Sequence, residues 1–249
     1  MDQVLDNYLD DSVINVFCDA SVRKYGKGYC ACAGAVAVCQ NNVLSEDFRI
    51  VTGGTNIKGE IDAVKQGIFL GTYVKGKTNK TINLFSDSQL AIYGIRDRIM
   101  GWKCKDDKLY GYAEHPIAYF ESFVEMINFM VYKDIKVNFY HQKGHVKLKN
   151  KDSMLYAIKT FAASNYIREQ IPYDFVKYIS LWNDYVDRKS RSELYKFDIY
   201  RNKIIQPVKF VPNNEYFNTL QQYENLQGGT INGKFTAQGH GTGTAYESY

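Results

Sequence analysis

Apolar positions first gather at Val13–Asp19 (VINVFCD), a short run dense in β-branched residues that ends in an acid and predicts a buried strand. Val22–Tyr29 is polar, basic and glycine-containing, as a turn requires. Cys30–Gln40 (CACAGAVAVCQ) is small and apolar and predicts a second strand packed closely against the first. Asn41 and Asn42 mark the next turn, and alternation over Leu44–Val51 predicts a third strand, so the chain opens as an antiparallel meander.

From Lys58 to about Val74 the period lengthens. Ile61, Val64, Ile68 and Leu70 form the stripe of a helix that also buries Ala63, Gly67 and Gly71. After a basic turn at Lys75–Lys80, Thr81–Asp87 (TINLFSD) predicts another buried strand ending in an acid. Gln89–Met100 predicts a helix and Trp102–Lys108 a charged connection. Pro116–Lys133 predicts an amphipathic helix with Pro116 in its first turn. Val137–His141 (VNFYH) is the last predicted strand, followed by helical patterns at Lys151–Arg168 and Tyr173–Leu194. This order implies an α/β fold, a mixed sheet with helices on its faces. Residues 1–12 form an N-terminal extension to a single domain over 13–200. Residues 201–249 form a C-terminal extension, in which KIIQPVKFV at Lys203–Val211 is one extended segment and Gln227–Tyr249 is a glycine-, threonine- and serine-rich flexible tail.

Composition sharpens this only modestly. The 249 residues are 45% hydrophobic and 23% charged, enough apolar content to fold rather than stay disordered. A formal net charge of +4 is compatible with a polyanionic partner without specifying one. The cysteines, Cys18, Cys30, Cys32, Cys39 and Cys104, are odd in number and lack CxxC spacing, which favours reduced core thiols over a disulfide or zinc site. The acidic start MDQVLDNYLDD lacks the pattern of a signal peptide, and no apolar run approaches the ~20 residues that span a bilayer. The expectation is a soluble, monomeric, cytoplasmic protein. Only 4 prolines, with abundant Lys, Asn and Tyr, hint at an A/T-rich genome such as that of a bacterial virus.

The candidate chemistry lies in carboxylates. Asp19 and Asp87 close buried strands, and Glu60 lies near the start of the intervening helix. In α/β sheets, ligands bind beyond the carboxyl ends of strands. If the two strands are neighbours, these acids share one rim, where ionised carboxylates repel unless a cation relieves them. Oxygen-only ligation favours Mg²⁺ or Mn²⁺ over zinc. Taken singly, Asp19 and Asp87 also suit turns, and Glu60 suits a helix N-terminus.

Four stretches, VFCDAS (Val16–Ser21), TNIKGEIDAV (Thr55–Val64), FSDSQLAIYGI (Phe85–Ile95) and KGH (Lys143–His145), resemble type 1 ribonuclease H in kind and order over roughly residues 13–195. The Thr-Asn-to-Glu spacing and the SDSQ segment carry most of the resemblance. It implies an RNase H-like fold with a mixed five-stranded sheet flanked by helices. It also implies hydrolysis of the RNA strand of an RNA/DNA hybrid by two Mg²⁺ ions, Mn²⁺ being a possible substitute. The ligands would be Asp19, Glu60, Asp87 and a fourth acid.

In that family the fourth acid lies about ten residues past the loop histidine, in an N-x-x-(A/V/C)-D-x-x-A context. Asp152 is only seven past His145 and sits where a helix N-cap is expected. WNDYVDRKSR (Trp182–Arg191) places Asn183 and Asp187 four apart on one helix face, with Val186 before the acid and Ser190 in the small position after it. Asp187 is therefore the expected fourth ligand, ahead of Asp152 and Asp184. A helical insertion of about 37 residues, at about 146–182, then separates the loop from the last core helix. By the same resemblance His145 assists proton transfer or product release. The substrate contacts would be Thr55, Asn56, Ser88, Gln89 and Asn183, with Trp102 and Lys103 in a reduced basic grip. Capping and turn formation remain alternative roles for Thr55, Asn56, Ser88 and Gln89. Two other functions stay open, a DNA-cutting nuclease on the same fold and a non-catalytic binding module.

Overall fold

The computed structural model describes residues 3–25, 28–52, 55–105, 108–110 and 119–200. The elements in chain order are α1 (Gln3–Asn7), β1 (Val13–Tyr25), β2 (Gly28–Cys39), β3 (Asn42–Thr52), α2 (Asn56–Lys75), β4 (Thr81–Ser86), α3 (Gln89–Tyr93), β5 (Lys103–Lys105), β6 (Lys108–Tyr110), α4 (Phe120–Lys133), β7 (Val137–His141), α5 (Lys151–Ser164) and α6 (Tyr173–Tyr200). Five strands form one mixed sheet in the order β3-β2-β1-β4-β7. The β3-β2-β1 meander is antiparallel, and β4 and β7 add to it in parallel.

Several elements depart from the apolar pattern. Val22–Tyr29 is not a turn: β1 runs on to Tyr25 and pairs with β2 down to Tyr25–Gly28. Polar residues such as Arg23 and Lys24 are tolerated there because cross-strand hydrogen bonds, not side-chain burial, hold the end of a long hairpin. The second turn sits at Gln40–Asn41, one residue early, with Gln40 in the left-handed region at φ 57°. The helix expected over Gln89–Met100 is α-helical only to Tyr93. It continues as a π turn at Gly94–Arg98 and a 3₁₀ turn at Ile99–Gly101. The connection after Trp102 contains the two-stranded β5–β6 ribbon. Pro116 and residues 201–249, including the expected tail, lie outside the described residues.

Among the described residues the chain divides into two compact units, one of the residues up to Arg96 with those from Lys136 onward, the other Asp97–Ile135. The sequence predicts one continuous domain instead. In the smaller unit α4 buries Phe123, Val124, Met126, Ile127 and Met130, and Trp102 packs edge-on against Phe123 at 5.1 Å.

The sheet of the larger unit is built in rungs. Alternation puts Asn15, Phe17 and Asp19 of β1 on one face, with Asn83 and Phe85 of β4 on the same face and Asp87 just past the end of β4. The first rung is a buried amide chain: Asn138 Nδ2 donates to Asn83 Oδ1 at 3.0 Å and Asn83 Nδ2 to Asn15 Oδ1 at 3.5 Å. Asn15 Nδ2 in turn donates to the Tyr8 carbonyl at 2.6 Å. The second rung is aromatic, with Phe17 stacked on Phe85 at 5.1 Å and Phe85 on Tyr140 at 5.3 Å. The third rung is acidic. The opposite face carries Val16, Cys18, Ile82 and Leu84 under α2, where a Cβ on Gly67 would meet Cys18 Sγ at 2.1 Å.

α5 and α6 cover the rung face. Met154, Ala157 and Phe161 of α5 join Phe175, Val176, Ile179 and Val186 of α6 around Phe17 and Phe85. Val4 and Leu5 of α1 belong to the same core, so this part of the N-terminal extension packs on the larger unit. In the stretch expected as an insertion the chain forms α5, and the last helix α6 runs for 28 residues. Cys18, Cys30, Cys32 and Cys39 are buried and free. No described helix is long and apolar enough to cross a membrane.

Candidate active site

Asp19 is not at the end of its strand, as the apolar pattern predicts, but in its middle. What ends at that level is the neighbour: the parallel β1–β4 ladder stops at Cys18–Ser86. The next residues, Asp19 and Asp87, therefore face each other across a gap with no further backbone bonds between the strands. Both are largely shielded from water. Burial first, and then the Asp87 charge, push the Asp19 carboxyl up to about 8. Asp87 is raised as well, mainly by burial with a contribution from Asp187, and is drawn back down by His145 and by a hydrogen bond from Asn183. The Ala20 amide donates to Asp19 Oδ1 at 2.7 Å.

Glu60 is the fifth residue of α2, not a first-turn acid, because the helix starts at Asn56 with Thr55 as its N-cap. Its carboxyl is raised by burial, and Ser88 Oγ donates to its Oε2 at 2.7 Å. Ser88 also caps α3 by accepting from the Ala91 amide, so its hydroxyl both caps a helix and orients an acid.

The fourth acid follows from how α6 docks. Asn183, Val186, Asp187, Ser190 and Leu194 recur on the helical period and are all buried. Two reciprocal bonds at 3.5 Å tie the helix to β1, from Ser21 Oγ to the Asp187 carbonyl and from Ser190 Oγ to the Asp19 carbonyl. Close approach requires Gly34, the β2 partner of Asp19, since a Cβ there would lie 2.3 Å from Ser190 Oγ. Asp187 is thereby carried over the Asp19–Asp87 gap and raises the carboxyls of both acids. Asp152 is exposed in the first turn of α5, whose N-cap is Asn150, not Asp152. Asp184 is half-exposed and paired with Arg188 at 2.6 Å.

The KGH loop closes the rim. A Cβ on Gly144 would stand 1.9 Å from Asp87 Oδ2, so only glycine lets the loop approach that carboxylate. His145 follows in the left-handed region at φ 53°, an unusual conformation for a residue with a Cβ. Its exposed ring reaches to 3.9 Å from Asp187 Oδ2. His141 plays no such part. Its Nε2 meets the Asp87 carbonyl at 3.2 Å and its Nδ1 the Ser164 hydroxyl at 2.9 Å, and burial lowers it to about 4. It is a neutral strut under the Asp87 corner. Arg96 braces the same region by donating to the carbonyls of Phe139 and Ser164.

The substrate contacts expected from sequence divide. Thr55, Asn56 and Gln89 are exposed at helix starts. Asn183 is 2% exposed and faces Asp87 and Gln142, so it has no surface for a substrate. Trp102 is 5% exposed and belongs to the core of the smaller unit, which corrects its expected role in a grip. Lys103 is exposed in that same unit. Gln142, which carries no pattern in the sequence beside KGH, donates from Nε2 to Asn183 Oδ1 at 2.8 Å.

The donor set fits a hard divalent cation, being all carboxylate oxygen with shared negative charge that a cation would offset. The spacing is looser. No three described His, Cys, Asp or Glu side chains converge tightly enough to hold one ion, and Arg191 donates to both Asp187 oxygens, at 2.9 and 2.7 Å.

A mixed five-stranded sheet with acids on the rim of its central strands defines a protein of the RNase H-like superfamily. A sequence model of the RNase H family matches residues 11–154, more than half of the chain, taking in Asp19, Glu60, Asp87 and His145 and stopping before Asp187. The chain belongs to the RNase H family and is a hydrolase of the ribonuclease H kind. Similar solved structures include an RNase H1 isolated from compost by a metagenomic approach, at 16% identity, covering 60% of this chain and 97% of that one with TM-score 0.42. The RNase H1 of the halophilic archaeon Halobacterium salinarum is 18% identical over 52% of this chain and 85% of that one, with TM-score 0.38. The RNase H domain of prototype foamy virus is 16% identical over 62% and 94%, with TM-score 0.43. No curated protein matches the chain.

Proposed function

We propose that this protein is an endoribonuclease that hydrolyses the RNA strand of RNA/DNA hybrids, with Asp19, Glu60, Asp87 and Asp187 holding the divalent cations. The observation that carries this reading is the gap where the β1–β4 ladder ends, with two shielded carboxyls facing each other and a third delivered over them by α6. A pair of Mg²⁺ ions, or Mn²⁺ in their place, would supply an activated water and charge stabilisation at the scissile phosphate.

The chain's own groups prepare the rest. Ser88 orients Glu60, and Gly144 brings the loop backbone onto Asp87. His145, exposed beside Asp187, would pass a proton to the leaving 3′-oxygen or assist product release. Thr55, Asn56 and Gln89, exposed at the starts of α2 and α3, are available to phosphate and to the minor groove, where the 2′-hydroxyl distinguishes RNA from DNA.

The test is cleavage of a hybrid labelled on either strand. RNA-strand cleavage should require Mg²⁺, stop with EDTA, and vanish in Asp19→Asn and Asp87→Asn. Asp187→Asn should also abolish it while Asp152→Asn leaves it intact, and the reverse result would move the fourth ligand. Cleavage of duplex or branched DNA in place of the hybrid would defeat the proposal.

A further inference from the structure

The net charge of the chain is concentrated beside the candidate active site. Between Gln142 and Ser164 stand five lysines, Lys143, Lys147, Lys149, Lys151 and Lys159, against one acid, Asp152. That stretch carries a formal +4, equal to the formal charge of all 249 residues. Three of the lysines are displayed in a row. Val146 and Leu148 pack inward against the core around Phe17 and Phe85. The alternate residues, His145, Lys147 and Lys149, are exposed, as is Lys151 at the start of α5.

The backbone that carries them is pinned. The Asn150 amide donates to the Lys147 carbonyl at 2.9 Å and closes a turn. The Lys147 amide donates to Ser153 Oγ at 3.0 Å, and the Ser153 amide donates to Asn150 Oδ1 at 2.8 Å, which caps α5. The row begins at the site itself. The Gly144 backbone lies against Asp87, and the His145 ring is 3.9 Å from Asp187 Oδ2.

The fold makes no internal use of these charges. Among the described residues Lys147, Lys149 and Lys151 form no ion pair. The basic side chains from Arg188 to Lys196 on α6 differ in this. Arg188 pairs with Asp184, Lys189 with Glu46, Arg191 with Asp187 and Lys196 with Glu193. Lys151 also opens a helix, where a cation opposes the helix dipole. Like charges gathered on one turn repel each other, and a polyanion relieves that repulsion.

We propose that Lys147, Lys149 and Lys151 form a surface that grips the phosphate backbone of the RNA/DNA hybrid, on the flank of the duplex past His145. The inference rests on the reading of the hybrid as substrate. It gives the turn after KGH and the start of α5 a task in binding. An ammonium meets a phosphate as a point charge, so the surface adds affinity without reading sequence.

The experiment is hybrid binding to the full chain by fluorescence anisotropy, in EDTA to stop cleavage, over a range of salt concentrations. Each lysine seated on a phosphate contributes roughly 0.9 to the slope of log affinity against log salt. Lys147→Gln with Lys149→Gln should flatten that slope by about two and weaken binding at low salt on the order of tenfold. Adding Lys151→Gln should remove about one more. Lys147→Arg with Lys149→Arg keeps the charge and should keep the slope. The control is Lys77→Gln with Lys136→Gln, both exposed at the opposite rim, where β4 and β7 begin. It removes the same charge and should leave the slope as in the wild type. An unchanged slope on loss of Lys147 and Lys149 would overturn the surface while leaving the substrate reading standing. So would an equal fall in the control, because net charge alone would then explain it. A wild-type chain that does not bind the hybrid at low salt would overturn the surface and the substrate reading together.

Discussion

Asp19 concentrates the physics of the site in one side chain. Burial and neighbouring acids hold its carboxyl up to about 8, against roughly 4 in an unfolded chain. Below about pH 4 folded and unfolded chains both keep this proton. Between there and about pH 8 the unfolded chain has released it and the folded chain has not, so rising pH favours unfolding. In EDTA the melting midpoint should therefore fall from pH 5 to pH 8. Asp19→Asn should raise the midpoint at pH 8 and flatten that slope, at the expense of cleavage. Calorimetry at several pH values checks this, and a slope in the variant as steep as in the wild type would refute it.

At the scale of elements, α5 is built into the core of the larger unit. Its Phe161 is fully buried, stacks near Tyr140 at 6.1 Å and meets Phe175 edge-on at 5.1 Å, so the aromatic rung of the sheet continues into the inserted helix. Phe161→Ala should cost about 3–5 kcal/mol in urea unfolding. A loss under about 1 kcal/mol would mean that α5 is only loosely attached. The strands teach a related point. Val137–His141 matched its predicted bounds because its buried residues alternate along a short strand, a pattern its own composition records. β1 ran six residues past its expected end, because a hairpin is extended by pairing with β2, which no single stretch of sequence records.

At the scale of the molecule, the proposed cation site would link binding to folding. Mutually repelling carboxyls are a liability in the metal-free state and an asset once a cation is bound. Mg²⁺ at a hundred times its dissociation constant should stabilise the fold by roughly 2.7 kcal/mol. The rise in midpoint should be larger at pH 8 than at pH 6, where the cation must first displace the proton shared among the acids. Equal gains at the two pH values would count against a coupled carboxylate site.

The sequence by itself determined the class of sheet, through local period and spacing that survive folding unchanged. It offered Asp19, Glu60 and Asp87 as candidate acids, and its resemblance to ribonuclease H pointed to Asp187 ahead of Asp152. Only the tertiary structure decided where β1 outruns β4, and so why Asp19 and Asp87 meet. It also placed Trp102 and Asn183 in the interior, where their residue types alone would allow a surface role. And it alone revealed Gln142, 41 residues from Asn183 in the chain and 2.8 Å away in space. A hydrogen bond of that span is made by packing α6 across the sheet, and no local pattern encodes it.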